Sequence, residues 1–81
     1  MNSVADLSID VSELTWPDSI LKVVQLVKAL KIESIIEVVD SEYSSLLFDL
    51  PEWWIETGNE VISTKEEEGK IKFYLKKCTV N

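Results

Sequence analysis

Leu14-Thr15-Trp16-Pro17-Asp18-Ser19-Ile20-Leu21-Lys22-Val23 is the stretch that decides how this chain folds. Proline suits the first turn of a helix, where its missing N–H would have no partner. An acidic residue just behind it favours the positive end of the helix dipole. From Ile20 the apolar residues recur at helical spacing: Ile20, Val23, Val24, Val27 and Leu30 share one face, while Lys22, Gln25 and Lys28 point away from it. The stretch therefore predicts a loop that turns into an amphipathic helix with one buried face.

On the N-terminal side, Val4 to Val11 reads as a strand, with Leu7, Ile9 and Val11 alternating against Ser8 and Asp10. On the C-terminal side, Ile35-Ile36-Glu37-Val38-Val39 is short and β-branched, a second strand with Glu37 as its one polar break. Asp40 to Ser45 is polar and turn-like. A second helix is expected from Asp49: Asp49 and Glu52 have capping-box spacing, Pro51 falls in the first turn, and Phe48 and Trp53 stand where a hydrophobic staple would form. Leu46 and Leu47 read as a separate short turn before it, and Gly58 as its left-handed end.

Glu60 to Lys65 and Ile71 to Lys76 are the last two strands, joined by an acidic loop that holds Glu66, Glu67, Glu68 and Gly69. In the final strand Ile71, Phe73 and Leu75 face one way and Lys72, Tyr74 and Lys76 the other. The order β-α-β-α-β-β predicts an α+β fold: a two-layer sandwich in which a mixed four-stranded sheet carries both helices on one face. The 81 residues suffice for a single domain, 1–81.

Composition limits the chemistry. The chain has 15 acidic residues against 8 basic ones, a net charge of −7, and every basic residue is Lys. Nucleic acids and anionic membranes draw affinity from clustered Lys and Arg, so neither is an expected partner. There is no His, which removes Ser-His-Asp and Cys-His catalysis, and the two Gly residues allow no phosphate-cradling loop. Asp40, Glu42 and Asp49 are explained by turn and cap duties, so no metal and no cofactor are expected. One Cys, Cys78, excludes an internal disulfide. Met1 to Asp10 has neither the basic nor the continuous apolar region of a signal peptide. The cytoplasm is the expected compartment.

The order of these pieces resembles the TusA (SirA-like) family of sulfur carriers over roughly Asp6 to Lys77. Ile9-Asp10-Val11 is similar to the family's Leu-Asp-containing first strand. Leu14 to Val23 resembles its Leu-x-Cys-Pro-x-Pro-hydrophobic stretch. Asp49-Leu50-Pro51-Glu52-Trp53 resembles the Asp-Ile-Pro segment, and Gly58-Asn59-Glu60-Val61 the Gly-His-Glu-Val sequence before the third strand. The resemblance implies a reactive cysteine ahead of the first proline, its thiolate favoured by the helix N-terminus and used to carry sulfur as a persulfide. Trp16 stands at that position, before Pro17. Ser19 replaces the second proline and Glu13 the usual glycine.

An indole has an N–H donor but no nucleophile and no proton to exchange near neutral pH. The expected role is therefore a family member without the usual reactive thiol, binding a protein partner of a sulfur-transfer system rather than acting as an enzyme. Trp16 reads either as a docking anchor, the role in which Trp is over-represented, or as a lid over the start of the helix. Asp18, Ser19 and Trp54 are the other candidate partner contacts, with Trp53 assigned to the core. Cys78, behind Lys76 and Lys77, reads as an incidental thiol or as a relocated sulfur acceptor favoured by the neighbouring ammonium groups; the alternative role is an active sulfur-relay protein that uses Cys78 or works beside a thiol-bearing paralogue. A homodimer through the exposed sheet face is left open.

Overall fold

The computed structural model describes residues 5–44 and 46–79. The expected start of the first strand at Val4 and the end of the polar segment at Ser45 lie outside them. Six elements follow one another: β1 (Leu7–Asp10), α1 (Asp18–Lys28), β2 (Ile35–Ser41), α2 (Leu46–Glu56), β3 (Glu60–Glu67) and β4 (Lys70–Lys76). They form one four-stranded sheet in the order β1-β2-β4-β3, with β1 parallel to β2 and the other pairings antiparallel. The β-α-β-α-β-β sandwich read from the sequence is the fold. No helix among the described residues is long and apolar enough to cross a membrane.

Register explains the core. In the β2–β4 ladder Ile36 faces Leu75, Val38 faces Phe73 and Asp40 faces Ile71, so these three pairs share one side of the sheet. Their apolar members form a single buried cluster with Val11, with Val23 and Val27 of α1, and with Leu50 and Trp54 of α2. Both helices thus cover the same face. On the other face Glu37 pairs with Tyr74 and Val39 with Lys72. Glu37 accepts from Ser8 Oγ at 2.6 Å and from the Tyr74 hydroxyl at 2.7 Å. Ser8 and then Tyr74 hold its carboxyl below the ordinary value, and the same bond raises Tyr74.

Three local expectations need correction. α2 begins at Leu46, so Asp49 lies in its first turn and Pro51 inside it, and the capping box does not form. The helical phase is set by what the core takes up. Leu47, Leu50 and Trp54 recur at one-turn spacing and turn inward, which swings Phe48 and Ile55 outward. Phe48 is 78% exposed, so there is no staple to Trp53. β2 continues through Asp40 into Ser41 because β4 begins early enough, at Lys70, to pair with it. The acidic loop shrinks to two residues, Glu68 and Gly69, with φ of 52° and 80°. Both central φ values are positive, the sign pattern of a type I′ hairpin that matches strand twist. Glu66 and Glu67 belong to β3.

The far end of the molecule is tied by side chains. Lys77 is buried, and its Nζ donates to the carbonyls of Val27 and Leu30, both at 2.8 Å, where α1 ends. Asn59 Oδ1 accepts from the backbone N–H groups of Cys78 and Thr79 at 2.6 and 3.1 Å. Gly58 sits between, at φ +88°, and a Cβ there would meet Thr79 Cγ2 at 2.9 Å. Gly58→Ala is expected to lower stability by about 1–2 kcal/mol from the left-handed backbone alone. A lower urea midpoint at unchanged m-value is the check.

Candidate functional site

Because β1 and β2 are parallel, both end at the same edge of the sheet, and the loops leading into α1 and α2 lie side by side there. Each loop is held by its own hydrogen bonds. Asp10 Oδ1 accepts from Ser12 N at 2.8 Å and Ser12 Oγ at 2.6 Å, turning the chain out of β1. Those bonds from Ser12, with Lys70 3.3 Å from the other oxygen, hold Asp10 below the ordinary carboxyl range. Leu14 N–H then bonds Val11 O at 3.0 Å, the Trp16–Pro17 peptide is cis, and Ser19 N–H bonds Thr15 O at 3.0 Å to start the helix. In the second loop Tyr43 N–H donates to Ser41 Oγ at 3.2 Å and Ser44 N–H to Ser41 O at 3.0 Å.

Between the loops is an open cleft of about 260 Å³, lined by Ser12, Leu14, Thr15 and Trp16 on one side and Asp40, Ser41, Tyr43 and Ser44 on the other. Trp16 is 62% exposed and Tyr43 89%. Tyr43 is raised above the ordinary tyrosine value by its bond to Glu42 and by that residue's charge. Asp40 is the opposite: 2% exposed, with Oδ1 accepting from Ser41 N–H at 2.7 Å and no hydrogen-bond partner for Oδ2 among the described residues. A second hollow, about 350 Å³, lies on the outer sheet face by Val39. Its walls include two ion pairs, Lys70–Asp10 at 3.3 Å and Lys72–Glu67 at 3.1 Å, whose members satisfy each other.

The residues singled out by sequence divide cleanly. Trp16, Pro17 and Asp18 are exposed where α1 begins. Ser19 is not available to a partner: it is 2% exposed because it shares the inward stripe of Val23 and Val27, four and eight residues on. Trp54 is not a surface residue either. It is fully buried, and its Nε1–H donates to Glu60 O at 2.9 Å. Trp53 is the half-buried one of the pair, its ring 5.7 Å from that of Trp54.

Cys78 follows β4, whose end pairs with the start of β2. It therefore lies at the opposite edge from Trp16, about 20 Å away along the strand. Neither neighbouring ammonium is committed to its thiol, since Lys77 is held by α1 and Lys76 pairs with Glu33 at 3.1 Å. Asp40, Glu42 and Asp49 do not converge. No group of three or more His, Cys, Asp or Glu among the described residues is arranged to hold a metal.

The sequence gives Asp40 a turn duty, whereas it lies within β2, and it gives Tyr43 no role. Asp40 was legible: it continues the alternation Ile36, Val38, Asp40 and so falls on the core face. Nothing local marks Tyr43. The cleft thus offers hydroxyls, an indole, a phenol and a buried carboxylate. Its lining residues include no thiol and no imidazole.

A family model described as "Sulfurtransferase TusA" matches residues 7–77. Similar chains include a putative sulfur carrier protein of Archaeoglobus fulgidus, 30% identical over 61 residues that cover 75% of this chain and 82% of the relative. Another is the sulfur carrier protein TusA of Allochromatium vinosum, 32% identical over 72 residues, covering 89% and 93% of the two chains.

Proposed function

Given that the chain belongs to the TusA sulfurtransferase family, we propose that it is a non-catalytic member, one that binds a protein of a sulfur-transfer system through the end of the molecule around Trp16. One observation carries the reading. Where the resemblance puts the family's reactive cysteine, an indole stands 62% exposed at the mouth of a cleft that has no thiol in its lining. A large aromatic kept in water at a helix start contributes little to folding, yet it is the side chain most often found at the energetic centre of protein interfaces. Phe48, 78% exposed in the first turns of α2, extends the apolar surface at the same edge of the sheet.

The test uses a cysteine desulfurase and a thiol-bearing TusA homologue as partners. Wild-type protein is expected to bind one of them. Trp16→Ala is expected to weaken that complex by about 2 kcal/mol or more while leaving folding stability within about 0.5 kcal/mol. Isothermal titration and urea unfolding read the two quantities. Intact mass after incubation with desulfurase and cysteine is the second arm. Wild type and Cys78→Ser should gain nothing. Trp16→Cys should gain one sulfur: the introduced thiolate attacks the outer sulfur of the desulfurase persulfide, the S–S bond breaks, and the enzyme's thiolate leaves. Binding to neither partner overturns the reading. So does sulfur loading of wild type that Cys78→Ser abolishes, which would make the protein a carrier whose thiol has moved.

A further inference from the structure

We propose that the cleft between the Trp16 loop and the Tyr43 loop receives a single arginine side chain of the partner protein, with Asp40 as its anion and Trp16 as the flat surface on which the guanidinium stacks. The inference rests on the protein-binding reading above and specifies what that partner presents.

The carboxylate is the first reason. Asp40 lies on the core face of β2, directly opposite Ile71, and is 2% exposed. Its Oδ2 has no hydrogen-bond partner among the described residues. A carboxylate oxygen withdrawn from water and left unpaired is costly, so such an atom calls for a donor. Asp40 is also a lining residue of the cleft, which makes the cleft the route by which a donor arrives. Contrast Lys77, the charged residue that ends the neighbouring core row on β4: it is equally buried, but both α1 carbonyls it faces are within 2.8 Å. Lys77 is answered twice from within the chain, whereas Asp40 is answered at Oδ1 by Ser41 N–H and at Oδ2 by no group among the described residues.

Charge and shape narrow the donor. No Lys occurs before Lys22 or between Lys31 and Lys65, so both loops and both helix starts carry only acidic charges: Glu13, Asp18, Asp40, Glu42 and Asp49. Asp18 and Asp49 sit in the first turns of α1 and α2 and offset the positive ends of those helices. The cleft end therefore draws cations. Its volume, about 260 Å³, is below the range of ~300–1,000 Å³ usual for whole small-molecule ligands and suits one long side chain. A planar, weakly hydrated guanidinium both forks onto a carboxylate and stacks on an indole face, which a compact ammonium does less well. Oδ2 is shielded from solvent, so a guanidinium reaches it only as the cleft lining shifts, and exposed side chains such as that of Trp16 change rotamer in nanoseconds.

The experiment titrates the ¹⁵N-labelled full chain with the blocked tripeptide Gly-Arg-Gly and with its lysine and citrulline counterparts. The arginine peptide should shift the Trp16 indole N–H and the Asp40 and Ser41 amides saturably, with affinity on the order of millimolar. Lysine should bind more weakly and citrulline not at all. Asp40→Asn and, independently, Trp16→Ala should each weaken the arginine peptide about tenfold or more; Trp16 is exposed, so that variant stays folded. Equal binding of citrulline, or undiminished binding by Asp40→Asn, overturns the proposal and leaves Oδ2 to a buried water. If the peptides fail while a desulfurase or TusA homologue still binds, this inference falls alone. If the arginine peptide binds and neither protein does, the reading beneath it is what fails.

Discussion

Trp54→Ala is expected to remove about 3–5 kcal/mol of folding stability. A chain of 81 residues holds roughly 4–12 kcal/mol in all, so the loss is about a quarter of the total or more and unfolds the chain where its stability lies at the low end of that range. The magnitude follows from the position of the side chain. Trp54 is fully buried, lies one turn from Leu50 in the same apolar cluster, and has its only polar atom bonded to Glu60 O. Truncation leaves a cavity between α2 and the sheet and an unanswered carbonyl at the start of β3. Trp53→Ala, at a half-buried position on the flank of the same helix, should cost distinctly less. Chemical denaturation of the two variants ranks them, and a larger loss at Trp53 would mean that α2 is rotated from the phase described above.

Lys77→Met should follow in size, with a loss of about 2–3 kcal/mol. Methionine keeps the length and packing of the stem, so the substitution isolates the ammonium. Its two bonds go to Val27 O, which also accepts from Leu30 N–H at 3.1 Å, and to Leu30 O just past the end of α1. Taking the donor away leaves Val27 O with the Leu30 N–H alone and Leu30 O without the ammonium, beside a buried thioether. Lys76→Met is the control: Lys76 is partly exposed and pairs with the exposed Glu33, and its replacement should stay within about 0.5 kcal/mol. Parallel urea titrations of the two variants decide it. Similar losses at both positions would remove the special role of Lys77.

What could be read from sequence and what could not follows from the range of the signals. The inward stripe of α1 and the alternation Ile71, Phe73, Leu75 are patterns within a few residues of chain; the alternation appears as expected, and the stripe holds at Ile20, Val23, Val27 and Leu30, with Leu26 rather than Val24 as its further member. The Trp53–Trp54 assignment was reversed because a local signal, capping-box spacing at Asp49, was allowed to set the start of α2. The phase is in fact set by Leu47, Leu50 and Trp54 meeting a sheet whose strands lie elsewhere in the chain. Asp40 and Lys77 are intermediate cases. Each extends a period-2 apolar row by one step and so sits inside, yet a charged residue at the end of such a row ordinarily reads as the point where the strand surfaces. Of the site, Trp16 was legible from the family pattern. Its apposition to Tyr43 and Asp40 depends on β1 and β2 running parallel and was beyond the reach of local spacing.

The link from Lys77 to α1 also bears on how the chain acquires its structure. The donor that completes the first helix is 50 residues from Val27 and 47 from Leu30. During synthesis α1 emerges early, but the ammonium that bonds Val27 O and Leu30 O at its end arrives only with the exit of the final strand. A β1-α1-β2 fragment would close the end of α1 with the local bonds of Ala29 and Leu30 N–H alone and would leave its apolar face uncovered by α2 and β4. Partial folding from the N-terminus is therefore poorly rewarded, and the first helix and the last strand gain their stability in one cooperative step, with the loop-closure cost of a distant contact met before either is secure.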